Sequence, residues 1–195
     1  MKITKIMASG ALVDLADLWP SDVNLTDVAR GLGVPRFGGQ AQFPDGNPYT
    51  VAQHCLVLAE WYERHGAYDP LFADEALLHD AAEAYVGDMH GPLKHLPKLA
   101  EFSAIEDRLL AAIHERVGHS VSSAHRDLVS RFDKCLLVNE FALFWPGLRG
   151  QHPELPCFKW EPLQGVRIEP MTPAEASAKW LHRAVDVARR NGAQP

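Results

Sequence analysis

The chain has 195 residues, 47% of them hydrophobic, with 19 Lys and Arg against 25 Asp and Glu for a net charge of −6. That length suits one domain, 1–195, with a substantial core, and an acidic balance without any Lys/Arg run argues against a nucleic-acid polymer gripped through its phosphates, though a small anionic ligand can still sit in a local basic pocket. Cys55, Cys135 and Cys157 form no CxxC pair, which speaks against disulfides and thiolate zinc sites; no stretch approaches the roughly 18 apolar residues of a membrane span, and Met1 to Leu15 lacks a signal-peptide core, so the expectation is a cytoplasmic protein without a membrane partner.

Strand signals are scarce and helix punctuation recurs, which predicts an all-α fold. Thr26 is placed to cap a short helix, Asp27 to Leu32, ended by Gly33. Pro35 to Pro48, rich in Gly and Pro with Asp45-Gly46, reads as loop. Thr50-Val51-Ala52-Gln53 has the capping-box pattern and opens a helix to about His65. Asp69-Pro70 starts another, which carries Leu77, Leu78, Ala81 and Ala82 and stops at Gly87; it is apolar enough to be central. Leu99, Phe102, Ile105, Leu109, Ile113 and Val117 step by three and four up to Gly118. Ser122 or Ser123 opens a helix whose period holds to Pro146, a Pro- and Gly-rich loop runs from Trp145 to Pro170, and Thr172-Pro173-Ala174-Glu175 starts a last helix to about Arg190.

The chemistry concentrates in Leu78 to Asp88, where His79, Asp80, Glu83 and Asp88 interrupt an otherwise apolar helix. Buried ionisable groups are costly without a partner, and a divalent cation would remove that cost for His79 and Asp80 together, since neutral imidazole donates a lone pair and carboxylate supplies charge. On one helix, Glu83 would neighbour both. Two ligands do not complete a coordination sphere. His54, near the start of its helix, is the upstream candidate, and Asp133, a lone carboxylate in an apolar helix face, the downstream one.

The order His54, then His79-Asp80, then a distant Asp133, all on helices, resembles the HD-domain phosphohydrolases, in particular small bacterial 5′-deoxynucleotidases and phage-associated HD hydrolases related to dATP triphosphohydrolases. The resemblance also rests on Val34-Pro35-Arg36-Phe37-Gly38-Gly39, Tyr49 to His54, and Pro92-Leu93-Lys94, and covers roughly residues 20–145, with 146–195 packing on that core. It implies a single helical bundle whose central helix carries the His-Asp motif, a divalent ion (Co²⁺, Mn²⁺, Zn²⁺, Fe²⁺ or Mg²⁺) on His54, His79, Asp80 and Asp133, proton-handling roles for Glu83 and Asp88, phosphate contacts from Arg36 and Lys94, and a homo-oligomer. The implied reaction is hydrolysis of a nucleotide 5′ phosphoester at the α-phosphorus: a 5′-deoxynucleotidase, or alternatively a deoxynucleoside triphosphohydrolase for which Lys94, His95 and Lys98 would hold the phosphate tail, or else a nucleotide sensor without turnover. Gln40 and the Gln42 to Asn47 segment depart from the family's pattern.

Plainer roles compete for the outlying residues. Phe37 and Trp19 are candidates to stack on a base or sugar, with core packing the alternative. His90 and His95 flank Lys94 and read as exposed. His114-Glu115 with His119 looks like a zinc-protease pattern, but the histidines are five apart, which on a continuous helix rotates them off a common face, so they read as solvated.

Overall fold

In the computed structural model, which describes residues 2–65, 69–89, 91–94 and 96–194, the fold opens with a hairpin of β1 (Thr4–Ile6) and β2 (Leu12–Asp14), antiparallel with Lys5 opposite Val13. Helices follow as α1 (Leu25–Gly31), α2 (Val51–His65), α3 (Pro70–Leu78), α4 (Glu83–Val86), α5 (Gly91–Lys94), α6 (Ala100–Arg116), α7 (Ser123–Phe144), α8 (Leu148–Gln151) and α9 (Pro173–Arg190). The all-α expectation holds apart from the hairpin. Its two strands are too short to show a period, and Ile6 and Leu12 face solvent at 70% and 69% exposure.

The hairpin nevertheless fastens to the helices. Ser9 donates through N–H and Oγ to Asp27 on α1, at 2.8 and 2.6 Å, and the Lys5 ammonium donates to the carbonyls of Ala84 and Tyr85 at the end of α4. A cation on terminal carbonyls is a helix C-cap. Asp27 is therefore occupied by the hairpin, and α1 begins earlier than Thr26 suggests: Asn24 accepts from the N–H groups of Thr26 and Asp27.

One apolar core runs from Met7 to Ala188, with Leu32, Leu56, Leu58, Leu77, Leu78, Leu109, Ile113, Leu136 and Trp180 sealed inside it. Helix α2 packs on both α3 and α9, which also meet each other, α1 packs on α9 and α4, and α7 packs on α3. Gln53 adds a polar tie at the start of α2. Its N–H donates to the Thr50 hydroxyl oxygen, half of the expected capping box, but its side chain donates at 2.6 Å to the Glu169 carbonyl and so ties α2 to the chain entering α9. At α9 the box is complete, with Thr172 and Glu175 bonded reciprocally. A smaller aromatic cluster of Phe43, Tyr49, Phe144, Trp145 and Phe37 holds the 35–48 loop, which contains a 3-10 turn at Phe37–Gly39, against the end of α7.

The expected single helix from Pro70 to Gly87 is in fact two, α3 and α4, with turns at His79 to Ala82. His79 N–H still reaches the Glu75 carbonyl at 2.8 Å, but the His79 imidazole Nδ1 bonds the Ala76 carbonyl, also at 2.8 Å, the acceptor an unbroken helix would offer to Asp80. From there the bonds tighten to three-residue spacing, as from Ala81 N–H to Leu78 and Glu83 N–H to Asp80. The His-Asp pair thus sits at a helix break that turns both side chains toward α2 and α7.

Close approach of α1 to α4 fixes the far side of this break. A Cβ at Gly31 would meet the backbone oxygen and Cα of Ala84 at 2.7 and 2.8 Å. Gly31→Ala is therefore expected to destabilise the chain by about 1–3 kcal/mol, since backbone cannot yield as a side chain can; a urea melt with an unchanged midpoint would contradict it.

Candidate metal centre

Four side chains from three separated segments converge where α2, the α3–α4 break and α7 meet. His54 Nε2 stands 3.4 Å from His79 Nε2, 3.7 Å from Asp80 Oδ2 and 3.0 Å from Asp133 Oδ1. His79 Nε2 is 3.4 Å from Asp80 Oδ2 and 3.9 Å from Asp133 Oδ1. Donors bonded at about 2.0–2.2 Å to one ion at tetrahedral or octahedral angles stand roughly 3 to 3.5 Å apart; His54, His79 and Asp80, whose ligand atoms all lie within 4.8 Å of one another, come near that spacing, while Asp133 approaches the group from the side of His54. The set opens to solvent through its carboxylates: the side chains of Asp80 and Asp133 keep 22% and 30% exposure, that of His54 none.

Both imidazoles are held by their other nitrogen, as metal-binding histidines require. His79 Nδ1 donates to the Ala76 carbonyl, and His54 Nδ1 bonds Glu140 Oε1 at 2.6 Å, so both Nε2 atoms are turned to the common point. Burial and the Arg36 charge push the His54 imidazolium down, but Glu140 and Asp133 outweigh them and carry its pKa up to about 10. A proton and a cation therefore compete for the same lone pair. Asp80 resists burial and stays ionised, its carboxyl held well below the usual range by His79, Arg36 and His54.

The acids and bases around this set divide. Glu83 is buried; Lys94 donates to its Oε1 at 3.1 Å while Oε2 has no hydrogen-bond partner among the described residues. Burial, then the negative charge of Asp80, push its carboxyl up to about 8. Asp88 accepts the Phe37 N–H at 2.7 Å and so pins a residue with left-handed backbone, φ 53°, next to Arg36. Arg36 is buried, with Nη1 3.1 Å from Asp80 Oδ2 and Nη2 3.9 Å from Glu140 Oε2.

No family model matches the chain. It is similar to an uncharacterized protein of Rhodobacter capsulatus, 38% identical over 114 residues that make up 57% of each chain, and to the uncharacterized protein YfdR of Escherichia coli, 29% identical over 173 residues, 86% of this chain and 85% of that one. The match to the Rhodobacter protein thus spans little more than half of either length.

Several expected site residues have other work. Lys94 is not a free cation in a loop: it ends α5 and pairs with both Glu83 and, at 2.7 Å, Glu106. Phe37 packs its ring on Phe141 and Trp145, with centroids 5.6 and 5.4 Å away, under the Arg36 guanidinium, so its apolar area is largely committed to the core. Trp19 stands outside the cluster, 63% exposed ahead of a 3-10 turn at Pro20–Asp22. His90 and His95 lie outside the described residues. His114 and His119 are not solvated but buried, and they converge on Glu75.

Sequence reasoning missed Glu140 and Tyr49. Fully buried Glu140 on α7 takes the Tyr49 hydroxyl at 2.8 Å and His54 Nδ1 on one oxygen and faces Arg36 with the other. It follows Asp133 by seven residues, two helical turns on the same face, and that spacing was the available signal.

Proposed function

We propose that the chain is a metal-dependent phosphohydrolase of the HD type that cleaves the 5′ phosphoester of a deoxynucleoside monophosphate, releasing nucleoside and phosphate. The observation that carries this reading is the convergence of His54, His79, Asp80 and Asp133 with both imidazoles oriented from behind. A divalent ion held by these four would supply Lewis-acid charge to a phosphate oxygen and make water more acidic.

The chain's own residues account for the rest. Arg36 fixes Asp80 and adds positive charge where the phosphate would gain negative charge. As water attacks the phosphorus and the bond to O5′ breaks, the electron pair goes to O5′ and needs a proton. Glu83, whose carboxyl is pushed up to about 8, can give its proton to O5′ at neutral pH, and the carboxylate left behind can take the proton that the attacking water loses. Asp88 accepts the Phe37 N–H and so orients the Arg36-Phe37 turn. For the triphosphate alternative, Lys94 would have to leave Glu83 and Glu106 to meet a phosphate tail. The homo-oligomer and the cytoplasmic location that accompany the resemblance belong to this proposal too.

Product analysis with dAMP and dATP over several divalent metals, with His79→Ala as control, tests the reading. Phosphate and nucleoside from dAMP are expected; triphosphate from dATP with dAMP untouched would overturn it. If Glu83 is the acid, activity holds below its pKa and falls as pH rises past about 8. Glu83→Gln should lower kcat by roughly 10²–10⁴ and abolish that basic limb. Lys94→Met removes a cation that lowers the Glu83 pKa, so its limb should shift to higher pH. A limb unmoved in both variants would assign the proton elsewhere.

A further inference from the structure

Glu75, His114 and His119 form a second convergent set outside the centre described above. Their candidate ligand atoms all lie within 4.8 Å of one another. Glu75 Oε2 is 3.0 Å from His119 Nε2 and 3.5 Å from His114 Nε2, again the spacing of donors around one ion. The side chains of His114, His119 and Glu75 keep only 10%, 0% and 2% exposure.

The five-residue spacing of the two histidines fails on a continuous helix, but α6 does not continue. It ends at Arg116, Gly118 turns the backbone at φ 63°, and the His119 N–H returns to the His114 carbonyl at 2.8 Å. The reversal lays His119 against His114 edge to face, centroids 5.1 Å apart and planes at 82°, with both Nε2 atoms toward the same carboxylate oxygen. The turn is braced from outside: Asn191, just past α9, donates to the Val117 carbonyl, and Arg116 bonds the carbonyls of Val23 and Gln194.

Hydrogen bonding alone leaves this cluster unsatisfied. Glu75 Oε2 is taken by His119, while His114 Nε2 and His119 Nδ1 are buried without hydrogen-bond partners among the described residues. Burial pushes His114 down to about 4, so its imidazole is neutral and has a lone pair to donate at neutral pH. A cation would convert the orphaned His114 Nε2 lone pair into a bond, with His119 binding through Nε2.

We propose that Glu75, His114 and His119 bind a second divalent cation of the zinc class, with water at the His114 edge, that joins α3 to the end of α6. Two imidazoles and one carboxylate favour Zn²⁺, Co²⁺ or Fe²⁺ over Mg²⁺ or Ca²⁺. The position bears on the first centre, because the Glu75 carbonyl accepts the His79 N–H. The second ion would hold the last turn of α3, from which His79 and Asp80 depart.

The test uses His79→Ala, which disables the first centre, stripped of metal and then loaded with Zn²⁺ and desalted. It should retain one zinc per chain, X-ray absorption should show two imidazoles on that zinc, and melting temperature should rise on loading. Adding the isosteric Glu75→Gln should remove the zinc and the rise. If His79→Ala retains no zinc, or if the double variant holds zinc as tightly, the proposal fails. The absorption spectrum of His79→Ala decides the matter on its own should the double variant not fold, since a zinc site without two imidazole ligands would also refute it.

Discussion

His54→Ala is expected to reduce phosphate release at least 10³-fold and, unlike His79→Ala, to destabilise the chain markedly. Both variants lose a cation ligand, so their activities should fall alike. Their partners differ. Behind His79 stands the Ala76 carbonyl beside the helix break, and losing that bond costs about 1 kcal/mol. Behind His54 stands Glu140, fully buried and bonded to it at 2.6 Å. Without the imidazole, Glu140 keeps the Tyr49 hydroxyl and an Arg36 nitrogen 3.9 Å away beside a new cavity. Removing one partner of a buried ionic pair typically costs about 3–5 kcal/mol. Urea melts of the two metal-free variants check this: His54→Ala should be the less stable by about 2 kcal/mol or more, the difference between those two costs, and equal midpoints would mean that Glu140 does not depend on His54.

The candidate ligands were legible because their residue types were out of place. A histidine at the buried start of α2, a His-Asp pair in an apolar helix and a lone Asp on α7 each needed a reason, and convergence supplies one. The helix break at His79 was hidden, because hydrophobic periodicity registers which face is apolar and not whether an imidazole takes its own helix's carbonyl. Long-range pairing was equally invisible. Nothing local tells that Lys94 will meet Glu106, that Asp88 will bond the backbone of Phe37, or that Lys5 will cap α4. His114 and His119 misled because the face argument assumes an unbroken helix, and Gly118, already recognised as the stop, lies between them.

Glu140→Gln should weaken the first centre without dismantling it. The amide keeps an oxygen to accept from His54 Nδ1 and Tyr49 but removes the charge that makes Nε2 a stronger donor. Loss of such a supporting partner typically costs about 10–100-fold in metal affinity. A purely structural role for Glu140 would alter stability alone, so the pH dependence is the informative readout. In the native chain the His54 pKa is carried up to about 10 by Glu140 and Asp133, so a proton must leave as the ion enters, and the logarithm of affinity should rise about one unit per pH unit through the neutral range. With a neutral amide in place of the Glu140 carboxylate, the folded pKa of His54 falls, the proton leaves at lower pH, and the slope should flatten sooner. Chelator competition from mildly acidic to mildly basic pH measures both effects. A weaker affinity with an unchanged slope would mean that Asp133 alone sets the His54 proton, whereas weakening with flattening assigns Glu140 as the residue that tunes and aims the ligand.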